Sequence, residues 1–274
     1  MKKIFSLPIT VILICGLTWA CKKEGTPPTL PPAQSMTIDF SNFLAGKKSE
    51  QVNYSLGAVE NTNWTVAATV AGVWNSILVI NLAIPVASFQ KAMNTTPTNL
   101  SKTTWQWKYS VDVVGVTYTA RLTGQIASNN IKWQMYISKQ GANGYVEFLW
   151  YEGTTALDGN SGTWTINTSQ ADQTPMLKID WSKSGTAIDS IKYTYIKTGQ
   201  AFNGSYIQYG LTSNALNAFY NVYFWEPNKV KFTTVNIEWS TSVHNGHIKA
   251  PDYFLDSNWY CWDGNGNDVT CPAR

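Results

Sequence analysis

The side chains best suited to chemistry fall into three small groups. His244 and His247, the only histidines, lie three residues apart in His244-Asn245-Gly246-His247. On a helix that spacing turns two imidazoles toward one metal ion, with Asp252 or Asp256 as a third ligand. Asn-Gly is turn chemistry instead, so the segment reads as a surface loop. Asp263-Gly264-Asn265-Gly266-Asn267-Asp268 sets side-chain oxygens at alternate positions, as a calcium loop does. Its sixth position is Asp268 where glycine belongs, and Arg274 stands where the closing acid should be; an ordinary hairpin explains it better. Glu147 with Glu152, or Asp158 with Asp180, would supply the acid pair of a glycosidase. Any exported β protein carries such carboxylates on strands and turns, and the sequence gives them no geometry. The chain has no Gly-x-Ser-x-Gly elbow, His-Glu-x-x-His helix or phosphate loop. We therefore assign no catalytic residue, metal site or cofactor, and favour binding or structural roles over catalysis by default.

The N-terminus carries an address. Lys2 and Lys3 precede an uncharged apolar run, Ile4 to Ala20, that ends in Leu17-Thr18-Trp19-Ala20-Cys21. These are the three parts of a secretory signal, residues 1–20. Ala20 is small enough for a peptidase pocket, and Cys21 supplies the thiol that receives diacylglycerol, so the expected membrane partner is reached through lipid on Cys21. A retained span of similar length is the rival reading. Residues 21–35 follow with Lys22-Lys23-Glu24 and the prolines Pro27, Pro28, Pro31 and Pro32, the composition of an extended spacer. This start, Cys21-Lys22-Lys23-Glu24 and then Pro31-Pro32 before a β-rich domain, resembles outer-membrane lipoproteins of Bacteroidetes. The resemblance covers about the first forty residues and implies an outer-membrane location, on its periplasmic or its surface side, and no activity.

Of four cysteines, Cys15 leaves with the signal and Cys21 carries lipid, so Cys261 and Cys271 remain. An exported location is oxidising, and the intervening Gly264-Asn265-Gly266-Asn267 turns easily; we expect a disulfide closing a C-terminal hairpin. Loss of Lys2 and Lys3 leaves 18 basic against 17 acidic residues, too even a balance to attract nucleic acid. Residues 36–274 suit one β-rich domain with no second linker.

Two patterns define the elements that would position a site. Residues 63 to 90 contain no charge, and apolar side chains recur at three- and four-residue spacing through Val66, Val70, Trp74, Ile77 and Leu82. The spacing predicts a helix over 63–83, capped by Thr62 or Asn63 and ended by Pro85, with a short second helix over 85–93. Its apolar residues spread round the circumference, so it is expected to be buried on nearly all sides rather than to span a membrane, given Asn75, Ser76 and Asn81 near its middle. After Asn99 the period becomes two: Trp105, Trp107, Tyr109, Val111 and Val113, then Ile131, Trp133, Met135 and Ile137, then Leu177, Ile179 and Trp181. Further strands are predicted at 116–126, 145–151, 162–168, 190–197, 204–210, 218–225, 229–239 and 258–262, and Met36-Thr37-Ile38-Asp39-Phe40 adds one before the helix. The expected fold is mainly β (α+β): a large curved antiparallel meander or partial barrel of about ten strands wrapping one long apolar helix. That geometry looks like the curved-sheet carriers of periplasmic lipoprotein and lipid traffic, an analogy of fold that carries no activity. A two-sheet sandwich with the helix outside is the alternative.

Aromatic residues are the compositional excess, with 13 tryptophans and 14 tyrosines. Most alternate into the predicted core, whereas Trp150, Tyr151, Trp225, Trp259 and Trp262 fall on the other face or near turns, where flat rings bind sugars or apolar groups. Three functions follow: a lipoprotein that binds an apolar ligand such as an acyl chain, needing a cavity beside the helix; a glycan binder, needing exposed coplanar rings; and a polysaccharide hydrolase or lyase, needing convergent carboxylates.

Overall fold

The computed structural model describes residues 25–44, 62–141 and 143–272. The signal peptide and Cys21 lie outside these residues.

One antiparallel sheet of fourteen strands, paired in sequence order, makes up most of the molecule. They are β1 (Thr98–Ser101), β2 (Thr104–Val113), β3 (Val116–Ile126), β4 (Asn130–Lys139), β5 (Tyr145–Ala156), β6 (Ser161–Asn167), β7 (Pro175–Ser184), β8 (Ala187–Tyr195), β9 (Tyr206–Leu211), β10 (Ala218–Glu226), β11 (Lys231–Trp239), β12 (Gly246–Lys249), β13 (Tyr260–Trp262) and β14 (Asp268–Val269). The first and last strands do not pair, so the sheet is open. Ten strands, β2 to β11, follow the period-two pattern and its turns. The four beyond the expected number, β1, β12, β13 and β14, have two to four residues each, too few for alternation to register, although β13 falls within the predicted 258–262. No ladder forms over Met36–Phe40: Ala33–Met36 is a 3-10 turn, Thr37 is extended, and Ser41–Leu44 is a short helix, α1. Met36 and Phe40 bury their side chains without a strand partner.

Large aromatic rings fill the buried face of the sheet. Trp133 and Trp164 are wholly buried, and each lies opposite a glycine on the preceding strand, Gly124 and Gly153. A Cβ on Gly124 would stand 2.5 Å from the Trp133 ring. Each indole thus lies against the backbone of the preceding strand, in the space a side chain there would fill.

The helix α2 runs unbroken from Asn63 to Ala92, about 45 Å, longer than the 63–83 segment expected and continuous through Pro85. Proline forfeits one helical hydrogen bond and crowds the Asn81 carbonyl. Here tertiary contacts outweigh that cost: Pro85 is buried, the Tyr151 hydroxyl donates to its carbonyl at 3.3 Å, and Tyr109 donates to the Ser88 carbonyl at 2.6 Å. At the N-terminus Thr62 Oγ1 accepts from Thr65 N, and the Asp268 carboxylate accepts from Asn63 N at 2.7 Å, an anion at the positive end of the helix. The helix therefore bridges the sheet, from β13 and β14 at its start to β2, β5 and β6 at its end, where Phe89 packs edge-on to Trp164 at 5.1 Å.

Burial on all sides is not what the structure has. One stripe, including Ala67, Ala71, Trp74, Leu78, Leu82 and Phe89, is buried. The opposite flank is open, with Ile80 78% exposed, Val79 60%, Val73 50% and Ile77 46%. By length and composition α2 is the one helix among the described residues able to cross a membrane, and a third of its most apolar window is buried. Its polar residues bond inward along the helix: Thr69 Oγ1 donates to the Thr65 carbonyl, Ser76 Oγ to Gly72 and Asn81 Nδ2 to Ile77. They say little about which side of α2 meets water.

The proline-bearing stretch does not stand off from the domain in its described part. Pro28 and Pro31 are buried, and Trp164 Nε1 donates to the buried Ser35 Oγ at 3.1 Å. Phe43 of α1 inserts among Trp64, Tyr220, Trp239 and Trp262, so residues 25–44 complete the core on one side of α2.

Candidate functional site

Between the middle of α2 and the ends of β7, β8 and β10 the space is not filled. A cavity of about 600 Å³ lies there, with Val70, Val73, Trp74, Ile77 and Leu78 on the helix side and Met176, Leu177, Tyr195, Phe202, Phe224 and Trp225 opposite. The wall is nearly all hydrocarbon or aromatic ring. Of its polar groups, Thr69 and Asn81 bond to their own helix, Ser205 Oγ accepts from Trp225 N at 3.1 Å, and the rest are the Tyr195 hydroxyl and the indole N–H groups of Trp74 and Trp225. Such a wall offers mainly dispersion contacts, the character of a site for an apolar ligand.

A second cleft of about 310 Å³ borders the other flank of α2, between Met36, Ile38 and Phe40 and the helix residues Val79, Leu82 and Val86. Tyr193, whose hydroxyl is buried without a hydrogen-bond partner, closes its floor. Burial holds the Tyr193 pKa well above the ordinary phenol value, so the group is a neutral donor. Leu78 borders both clefts.

The outer face of the sheet is polar over β3 to β6. A shallow groove of about 680 Å³ over β3 to β6 is lined by Arg121, Gln134, Tyr136, Glu152 and several threonines. Arg121 lies over the Tyr136 ring at 4.1 Å and makes paired bonds to Glu147 at 2.9 and 2.6 Å. That hydrogen-bonded ion pair lowers the Glu147 pKa, the opposite of what a glycosidase acid requires. The other carboxylates proposed for acid chemistry are engaged elsewhere: Glu152 accepts from Gln134, Asp158 from Asn160 in its own turn, and Asp180 pairs with Lys178 at 2.7 Å.

The histidines do not form the expected loop. His244 occupies a turn with φ of +62°, but His247 belongs to β12, its Nε2 2.9 Å from Glu238 Oε2 and its ring 3.9 Å from Trp259. Asn-Gly lies at the start of that strand, so the turn signal was right for its first half only. Among the described residues no three His, Cys, Asp or Glu side chains converge as metal ligands would. Asp263 caps its own loop, accepting from Asn265 N and Asn267 N at 2.9 Å each; these bonds, that to Asn267 foremost, lower its pKa. Cys261 and Cys271 pair across this hairpin with Cα atoms 5.2 Å apart, within the disulfide range.

Of the five aromatic residues singled out, two are core. Tyr151 and Trp262 are 0% and 1% exposed, and Tyr151 holds α2 at Pro85. Trp150 packs on Phe148 at 5.3 Å, and Trp259 on His247. Trp225 lines the apolar cavity and meets Phe232 edge-on. The remaining cavity residues were legible only as core. The missed signal is a second aliphatic stripe on the helix, Val66, Val70, Val73, Ile77, Ile80 and Ile84, spaced four and three residues apart and distinct from the stripe the sheet buries.

No protein-family model, curated protein or solved structure matches the chain.

Proposed function

We propose that this protein is a lipid-anchored lipoprotein of the cell envelope that binds a lipid acyl chain in the cavity between α2 and β7–β10. The observation that carries the reading is a cavity of about 600 Å³ whose wall is nearly all apolar, within the range of about 300–1,000 Å³ typical of small-molecule sites. Water gains little in such a space, and a hydrocarbon chain gains about 0.8 kcal/mol per methylene buried. No carboxylate, histidine, lysine or cysteine is among the residues that line it, which supports binding rather than turnover. The lipid anchor on Cys21 rests on the signal and cysteine motif, and it keeps the domain beside a source of such chains.

Glycan binding fits less well. The outer-face rings of Tyr223 and Phe232 stack on each other at 4.6 Å and 8°, which spends the flat faces a sugar would use.

The test is binding of a fluorescent long-chain fatty acid to the purified full chain, with displacement by unlabelled palmitate, in wild type and in Val70→Trp, which fills the cavity from the helix side. The expected result is saturable, displaceable binding that Val70→Trp weakens at least tenfold with an unchanged circular dichroism spectrum. Absence of saturable binding, or equal binding by the folded variant, would overturn the proposal.

A further inference from the structure

In a meander, alternate hairpins project at the same end of the sheet. The β2–β3, β4–β5, β6–β7, β8–β9, β10–β11 and β12–β13 connections therefore share one end, and the apolar cavity opens there, because Met176, Phe202, Trp225 and Pro227 all belong to it. The tips of this end are anomalous. Val114, 95% exposed, is the first residue of the two-residue turn between Val113 and Val116, with φ of +49°. Val230, 72% exposed, ends the β10–β11 turn at φ +52°, and Leu255, 87% exposed, ends the short helix α3 (Pro251–Phe254) at φ +62°. Left-handed backbone disfavours every side chain, and β-branched ones most; glycine or asparagine is the ordinary occupant of all three positions. Folding thus gains nothing from an aliphatic group there, and solubility loses. At the opposite end the exposed aliphatic residues Leu157, Leu211 and Val243 range from 40% to 60% exposed, and none of them has a positive φ.

We infer that the tips Val114, Val230 and Leu255 insert into a phospholipid bilayer, so that the cavity mouth at the same end of the sheet opens onto lipid. A bilayer is favoured over a protein partner by the form of the surface. The three side chains stand singly on separate turns, whereas a stable protein interface needs about 800 Å² of contiguous surface on each side with aromatic anchors at its centre. A fluid hydrocarbon phase accepts isolated aliphatic tips at any spacing. The flank of α2 extends the same apolar surface, since Val73 and Ile77 line the cavity and are about half exposed. This rests on the acyl-chain reading above and adds the route by which the chain enters.

The experiment is flotation with phosphatidylcholine vesicles, which carry no net charge to attract the protein, using the chain from Lys22 onward, so that neither the apolar run of residues 4–20 nor lipid on Cys21 contributes. Three forms are compared: this parent; Val114→Asn with Val230→Asn and Leu255→Asn; and Leu157→Asn with Val243→Asn at the opposite end. Asparagine tolerates left-handed backbone, so the triple variant is expected to melt at or above the parent temperature while its vesicle partition falls at least tenfold per tip. The opposite-end variant should float as the parent does. A parent that does not float, a triple variant that floats equally, or an equal loss in the opposite-end variant would each overturn the inference. The fatty-acid titration on the triple variant keeps the two proposals apart: retained binding with lost flotation places the defect at the tips, whereas failure of fatty-acid binding in the parent sinks the cavity reading itself.

Discussion

Replacing Leu82 and Ile80 by alanine, one at a time, reads the orientation of α2 directly. Both are large aliphatic residues two positions apart, but Leu82 is 3% exposed and Ile80 is 78% exposed. A buried leucine cut to alanine costs about 2–5 kcal/mol. Leu82 borders the smaller cleft, so less new cavity is created, and we expect the lower part of that range, about 2–3 kcal/mol. Ile80 keeps only about a fifth of its surface from water, and full burial of such a side chain is worth about 1.5–3 kcal/mol. Its removal forfeits about 0.5 kcal/mol, which the better helix propensity of alanine nearly offsets. The difference, about 2 kcal/mol, corresponds to about 0.7 M in urea midpoint for an m-value near 3 kcal/mol/M. Equilibrium urea unfolding followed by tryptophan fluorescence measures it. Equal losses in the two variants would mean that α2 is enclosed all round, and the open flank described above would be wrong.

Further outcomes follow from the packing. Gly124→Ala places a methyl against the buried Trp133 ring and should cost about 1–3 kcal/mol by overpacking, measured by the same unfolding; an unchanged midpoint would show that the strands are not held this closely. Replacing both Cys261 and Cys271 by serine opens an eleven-residue loop and should cost about 3 kcal/mol. Hydrogen exchange in that variant should also speed up at the first turn of α2, because Asp268 caps it from the same hairpin; protection unaltered there would separate the hairpin from the helix. Burial raises the pKa of Tyr109, Tyr151, Tyr193 and Tyr220 above the ordinary value of 10.0. The folded state thus holds these protons more tightly than the unfolded chain, and their contribution is complete below pH 10 and declines as pH rises above it. Tyrosinate absorbance and loss of β-sheet ellipticity should then rise together above pH 10; ionisation of all tyrosines with the sheet intact would refute this.

Much of the architecture was legible because periodicity is a direct consequence of burial. Strands with one wet and one dry face alternate, and ten of the long ones did so visibly, from Trp105-Trp107 through Ile237-Trp239. Short strands such as β12 and β14 carry too few residues to alternate, and β12 was hidden further by Asn-Gly at its start. Pro85 misled because propensity is local while the bonds that hold the helix through it come from Tyr109 and Tyr151, far along the chain. The open flank of α2 was illegible for another reason. Composition reports that a side chain is apolar, not whether protein, ligand or lipid covers it, and Ile80 reads the same as Leu82. The site itself was half visible: Trp225 stood out, whereas Phe202 and Met176 reach the cavity only through the order of strands around the sheet. Tyr151 and Trp262 looked exposed from their neighbours in sequence and are not, because β5 contains register shifts that alternation alone does not reveal and β13 is packed beneath Phe43.

The account depends most on the cavity between α2 and β7–β10, and methyl NMR of the full chain, labelled at Ile, Leu and Val, tests it in one titration with palmitate. Saturable shifts are predicted for Val70, Val73, Ile77, Leu78 and Leu177, with the core methyls of Ile137 and Ile248 unmoved. Shifts spread over the sheet, or none at saturating palmitate, would contradict it.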